Sequence, residues 1–200
     1  MIVVTGMHRS GTSLTAQVLE ALGADFGPAD QLYEADRWNA NGYLERVDVV
    51  DLNSRLVTGA TRTRGRLDTV RSQAGYLRMP DDQLLERRGQ QLASDVRSLR
   101  RRLDGRFVKD PRFCLTFPTW HAVEPPTGLV VALRHPAASV ASLRTRNRLP
   151  TALGHRFWRW HMARILPWID ERTLVVRQEV LTGPAHDDEV ARIRQWMTDI

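Results

Sequence analysis

The strongest constraint on the fold lies at the start of the chain. An unbroken apolar run, Met1–Thr5, gives way to a turn carrying Gly6 and Gly11 and then to Thr12–Leu22. A run without alternation reads as a strand covered on both faces, as in a parallel sheet flanked by helices. Leu14, Val18, Leu19 and Leu22 recur at helical spacing, and Gly23 is a stop signal. Three further strands are expected at Arg106–Lys109, Gly128–Leu133 and Thr173–Arg177. Helical patterns fall between and after them: Val47–Leu56, lying on the sheet; a long charged helix opened by Pro80-Asp81-Asp82 and running to about Arg102; then Ala137–Arg146, Leu153–Ile169 and Asp187–Met197. Asp25–Gly42 reads as loop with at most one helical turn, and the arginine-rich Thr58–Gln73 as a surface loop. Strands alternating with helices predict an α/β fold with a parallel sheet, in one domain over residues 1–200.

Charge narrows the partner. The formal net charge is +6, which favours a polyanion: nucleic acid, an anionic membrane surface or a charged nucleotide. Of the 29 basic residues only Lys109 is lysine. That abundance of arginine is a coding bias, so the retained compact ammonium is the cation to ask about. Cys114, the single cysteine, excludes internal disulfides and cysteine-rich zinc sites and reads as a core residue. No apolar run approaches the length of a membrane span and no secretory leader pattern opens the chain, so the expected location is the cytoplasm, with no membrane span. The sequence leaves the oligomeric state open, a homodimer included.

Between the first strand and the first helix stands Thr5-Gly-Met-His-Arg-Ser-Gly-Thr-Ser-Leu14. Two glycines let the backbone wrap around an anion, and the helix start adds its dipole and unpaired N–H groups. Ser10, Thr12 and Ser13 add hydroxyls and Arg9 adds charge. A cap alone does not need this set, so the loop predicts phosphate or sulfate binding. Against the triphosphatase pattern G-x-x-x-x-G-K-[ST], Gly6, Gly11 and Ser13 fit, Ser13 filling the magnesium-ligand slot, but the lysine slot holds Thr12. No strand ends in an obvious magnesium-holding Asp. A P-loop nucleotide kinase is therefore the second reading. A non-enzymatic nucleic-acid binder is the third, since no nucleic-acid motif accompanies the charge.

The loop resembles the 5′-phosphosulfate loop of sulfotransferases that use 3′-phosphoadenosine 5′-phosphosulfate (PAPS), in its bacterial G-M-H-R-S-G-T-S form. Arg134-His-Pro-Ala-Ala-Ser-Val-Ala-Ser142 fits the family's strand-end Arg with a Ser eight residues later. Asn39-Ala-Asn-Gly-Tyr-Leu-Glu45 is similar to its N-x-x-G-[YF]-x-E segment, and Phe107-Val-Lys-Asp-Pro-Arg-Phe113 to its K-D-P-R strand end. The resemblance spans about residues 2–145, with a fainter echo at Gln178-Glu-Val-Leu181. A Gly-rich, Lys-containing adenosine segment near the C-terminus is missing, so adenine contacts stay unassigned.

The resemblance implies a P-loop-like three-layer fold and a sulfuryl transfer from PAPS to a hydroxyl or amine of a small-molecule or glycan acceptor. The product would be 3′,5′-ADP, with no metal and no nucleic acid involved. His8, Arg9, Ser10, Gly11, Thr12 and Ser13 would cradle the phosphosulfate, and Arg134 with Ser142 would hold the 3′-phosphate. Physically, a strand-end guanidinium and a hydroxyl two helical turns in can converge on one phosphate. Arg9, Lys109 and the loop N–H groups are expected to stabilise the leaving phosphate. For the base the order is Glu45, then Asp110 beside Lys109, then His8. Arg156-Phe-Trp-Arg-Trp-His-Met162, with Trp168, has core spacing, although some rings could line an acceptor pocket. The Thr58–Gln73 loop could close over the site or grip an anionic acceptor.

Overall fold

The computed structural model describes residues 1–35, 42–60 and 75–200. The first residues of the Asn39–Glu45 segment and most of the Thr58–Gln73 loop lie outside the described residues. The architecture is α/β, with a four-stranded parallel sheet flanked by helices. Its strands are β1 (Ile2–Thr5), β2 (Phe107–Lys109), β3 (Gly128–Leu133) and β4 (Leu174–Arg177), in the order β2-β1-β3-β4. Val3 pairs with Val108 on one side and Leu129 on the other. The chain leaves β1 toward one edge and β3 toward the other. The C-terminal ends of β1 and β3 thus form a point where the winding reverses, the usual ligand crevice of such sheets.

Alternation along the strands divides the interior. Val4, Phe107, Val130 and Val176 face α1 (Thr12–Ala21) and the C-terminal helix His186–Asp199. Val3, Val108, Leu129 and Val131 face the other layer. That layer holds α2 (Val47–Thr58), α3 (Asp82–Gln91), α4 (Ala93–Arg102), α5 (Phe113–Val123), α6 (Pro136–Asn147) and α7 (Thr151–Ile165). Among the described residues no helix is long and apolar enough to cross a membrane.

Two expectations need correction. The long helix to Arg102 is broken at Leu92 into α3 and α4. The break follows Gly89, where α3 lies so close to α5 that a side chain would meet Thr119. Sequence reading assigned no element to α5, Phe-Cys-Leu-Thr-Phe-Pro-Thr-Trp-His-Ala-Val. Most of its residues are buried and it carries Pro118 inside, so neither period nor composition announces a helix. Cys114 sits in this core, fully buried, and burial pushes its thiol up to about 12.

Candidate functional site

The loop after β1 is bent by three residues in left-handed backbone conformations: Gly6 at φ 148°, Arg9 at 70° and Gly11 at 92°. Gly6 passes so close to the end of β3 that any side chain there would run into the Ala132 carbonyl oxygen. Arg9, a non-glycine residue in that region, holds strain of the kind that collects at ligand-binding turns. Gly11 is the N-cap of α1; among the described residues no side chain caps the helix, and no acid lies in its first turn. The helix start therefore keeps its positive end toward the crevice. Ser10 is 2% exposed, and its hydroxyl has no hydrogen-bond partner among the described residues. An orphaned buried hydroxyl costs about 1–3 kcal/mol, which an anion seated in the loop would relieve.

Beside the loop lies a second cluster of cations. Arg9 Nε donates to Ser142 Oγ at 2.8 Å, and Arg134 Nη1 donates to the Arg9 carbonyl at 3.3 Å. Arg146, one turn beyond Ser142 on α6, donates to Tyr43 Oη at 3.0 Å. Burial holds the Arg9 guanidinium below its ordinary range, and the like charges of Arg146 and Arg134 add to that. Neither Arg9 nor Arg134 has an ion-pair partner among the described residues. The nearby Glu179 carboxylate instead accepts the His135 N–H at 2.7 Å. Ser139 on α6 is fully buried, and its hydroxyl too has no partner among the described residues. The two segments singled out by sequence, 6–13 and 134–142, thus meet through Arg9 and Ser142.

Lys109 ends β2 on the α1 face. It is 1% exposed and donates to Ser13 Oγ at 3.0 Å, the Tyr43 carbonyl at 3.0 Å and Glu45 Oε1 at 2.7 Å. Leu44, at φ 52°, makes the turn from Tyr43 to Glu45 that lets both reach the ammonium. Asp110, the next residue, points elsewhere. Its Oδ1 accepts from Arg112 N and Nη1, both at 2.9 Å, and its Oδ2 from Asn53 Nδ2 at 2.9 Å. Asn53 Oδ1 in turn accepts from Thr116 and Trp120. Burial raises the Asp110 carboxyl above its usual range while Arg112 pulls it down. Asp110 is therefore enclosed in the core, away from the cleft wall.

A cleft of about 480 Å³ opens in front of these groups, with His8, Arg9, Tyr43, Glu45, Tyr76 and Phe157 in its walls. His8 Nε2 lies 2.9 Å from Tyr76 Oη, which lies 2.5 Å from His161 Nε2. His161 Nδ1 lies 2.8 Å from the Phe157 carbonyl. Burial lowers His161 to about 3, so its ring is neutral. The aromatic stretch 156–162 is divided as its spacing predicts: Phe157, Trp160 and His161 are buried, and Phe157 also reaches the cleft. Sequence reading missed Tyr76, Arg112 and Arg146 as cleft residues. Only Arg146 carried a signal, standing one helical turn after Ser142.

Thr12 is buried at the helix start, and Ser13 is partly buried with its hydroxyl on Lys109. No cluster of metal-ligating side chains occurs among the described residues. Comparison of the chain with protein-family models, with curated proteins and with solved structures gave no match.

Proposed function

We propose that this chain is a P-loop-like, PAPS-dependent sulfotransferase, a cytoplasmic enzyme moving a sulfuryl group to a hydroxyl or amine and releasing 3′,5′-ADP. The observation that carries the reading is a pair of neighbouring electropositive corners of different construction, joined by the Arg9–Ser142 hydrogen bond and each suited to an anion. One is the strand–loop–helix start, with uncapped N–H groups and the orphaned Ser10 hydroxyl. The other is the Arg9, Arg134 and Ser142 group, whose guanidinium charges have no carboxylate in ion-pair contact among the described residues. A donor with a phosphosulfate at one end and a separate phosphate at the other needs both. A single triphosphate does not.

In this reading residues 8–13 receive the phosphosulfate, and Arg134, Arg9 and Ser142 receive the 3′-phosphate. Arg9 shifts toward the second phosphate, because its Nε is already on Ser142. Lys109 then carries most of the charge stabilisation at the leaving oxygen. Its ammonium contacts the Ser13 hydroxyl, the group a magnesium ion would use in a triphosphatase. Fixed cations and N–H groups of this kind contribute about 3–4 kcal/mol each to such transition states. Of the three base candidates read from the sequence, two stand on the cleft wall, Glu45 and His8. Asp110 does not, since both its oxygens are engaged inside the core.

The test is a calorimetric titration with 3′,5′-ADP, with ATP plus magnesium, and with a DNA oligomer. The proposal expects magnesium-independent binding of 3′,5′-ADP well above the other two. Preference for ATP–magnesium would instead favour a nucleotide kinase, and preference for DNA a binding protein.

A further inference from the structure

The hydrogen-bond chain His161–Tyr76–His8 has a direction, and the direction follows from its buried end. His161 is fully buried and neutral. The Phe157 carbonyl can only accept, so His161 Nδ1 carries the hydrogen. Its Nε2 is then the lone-pair nitrogen and accepts from Tyr76 Oη–H. With its one hydrogen directed at His161, the Tyr76 oxygen can only accept from His8, whose Nε2 therefore donates. In neutral His8 the lone pair is consequently on Nδ1. The ring is also held by packing, edge-on to Tyr76 at 5.4 Å and stacked on Phe157 at 6.4 Å between centroids.

Glu45, the other sequence candidate on the cleft wall, is differently placed. Its Oε1 lies 2.7 Å from the buried Lys109 ammonium. That contact commits Oε1 to the ammonium rather than to an incoming hydroxyl. Protonating Glu45 would also strip Lys109 of its counter-charge.

Resting on the sulfuryl-transfer reading, we propose that His8 Nδ1 is the general base, that Tyr76 and His161 are positioning residues fixing its tautomer, and that Glu45 serves to hold Lys109. In the step, the acceptor O–H bond breaks and its proton goes to the Nδ1 lone pair. The acceptor oxygen forms a bond to sulfur as the bond from sulfur to the bridging phosphate oxygen breaks. The electron pair of that bond leaves on the 5′-phosphate of 3′,5′-ADP, beside Lys109. The His8 imidazolium, still donating through Nε2 to Tyr76, later loses its proton to water. The charged groups sharing the cleft wall with His8 are Arg9, Glu34, Glu45, Arg112 and Arg146. His161 and Tyr76 face it from α7 and from residues 75–77.

The test begins with nitrogen-15 correlation spectra of the imidazole rings in the intact wild-type chain. They should show His8 and His161 as opposite tautomers, Nε2–H and Nδ1–H. An Nδ1–H His8 overturns the proposal and leaves the nucleotide reading untouched. The same sample titrated with 3′,5′-ADP tests that reading separately, through shifts at the Gly6 and Gly11 amides. Kinetics then use radiolabelled PAPS with water as the acceptor, read as sulfate release. His8→Gln keeps a donor for Tyr76 and should lower kcat by about 100-fold or more, abolish the acidic limb of the pH–rate profile and leave the 3′,5′-ADP Kd within a few-fold. Tyr76→Phe should lower kcat with KM unchanged and give a mixed His8 tautomer. Glu45→Gln should lower the rate yet retain the acidic limb. Loss of the limb in Glu45→Gln together with its survival in His8→Gln would return the base to Glu45. Absence of sulfate release from wild type would count against sulfuryl transfer itself.

Discussion

The two charged regions beneath the cleft are built on opposite principles. Around Lys109 every charge is matched: the ammonium has Glu45, Ser13 and the Tyr43 carbonyl, and the adjacent Asp110 has Arg112 and Asn53. Around Arg9 the charges repel: beyond the effect of burial, Arg146 and Arg134 lie close enough to depress it, and its side chain donates to the neutral Ser142 hydroxyl. A matched cluster stabilises the fold and stays the same whether or not a ligand arrives. An unmatched one costs the folded chain something until an anion completes it. The difference separates groups that hold the site together from groups that wait for its occupant.

The largest expected break of this contrast is Lys109→Ala. Removing one partner of a buried ion pair leaves the other charge uncompensated, at a cost of about 3–5 kcal/mol. Urea unfolding should show that loss, and Glu45→Gln in the same background should recover part of it by removing the stranded carboxylate. If Lys109→Ala unfolds like the wild type, the matched cluster is not structural and the contrast fails.

Arg134→Ala should behave in the opposite way. With the ligand absent, its melting temperature is expected to equal or exceed that of the wild type, since a repelling cation is gone. Its affinity for 3′,5′-ADP should fall about 10–150-fold, the size of a lost charged hydrogen bond. Calorimetry across a salt series checks this, because the wild type should lose affinity with added salt more steeply than the variant. A variant that is destabilised but binds normally would make Arg134 a structural residue.

How much of this contrast could be read from the chain depends on sequence distance. The loop and its helix were legible because Gly6, Gly11 and the apolar periods around them are local, and they fix a strand, a turn and a helix start in that order. Arg134 and Ser142 were brought together only by the family resemblance, and each lies against Arg9. Arg9 meets Ser142 across 133 positions, and Tyr76 meets His161 across 85, and no local pattern encodes either. Asp110 and Lys109 look alike as neighbours in sequence, yet adjacent side chains at a strand end point to opposite faces. That is why one reaches Ser13 and the other disappears into the core beside Asn53. The helix α5 was hidden by the burial that makes it important, since a helix covered on most sides shows no amphipathic period.

A third group, buried behind Tyr76, is neutral rather than matched. His161 titrates at about 3 when folded, lowered chiefly by burial, against 6.5 for an ordinary histidine. Below pH 6.5 the unfolded chain binds a proton that the folded chain refuses, so stability falls as pH falls through the window from about 6.5 to 3. The slope is about 1.4 kcal/mol per pH unit. Comparing urea midpoints at pH 7 and pH 5, the wild type should lose about 2 kcal/mol more than His161→Gln. Equal losses would mean that His161 takes up a proton in the folded chain, and the directed chain through Tyr76 would then not hold.

The finest test sets two loop serines against each other. Ser13 Oγ accepts from Lys109, whereas Ser10 Oγ is buried with no partner among the described residues. Ser13→Ala deletes a made hydrogen bond and should cost about 1 kcal/mol in the ligand-free chain. Ser10→Ala deletes a hydroxyl that burial already penalises, so the ligand-free chain should become more stable, by about 1 kcal/mol. With saturating 3′,5′-ADP the Ser10→Ala advantage should vanish or reverse, because the hydroxyl then gains a phosphate oxygen as its acceptor. Thermal unfolding of both variants with and without the nucleotide decides it. If Ser10→Ala remains more stable at every nucleotide concentration, the hydroxyl does not meet the anion, and the loop grips its ligand through backbone N–H groups and Lys109 instead.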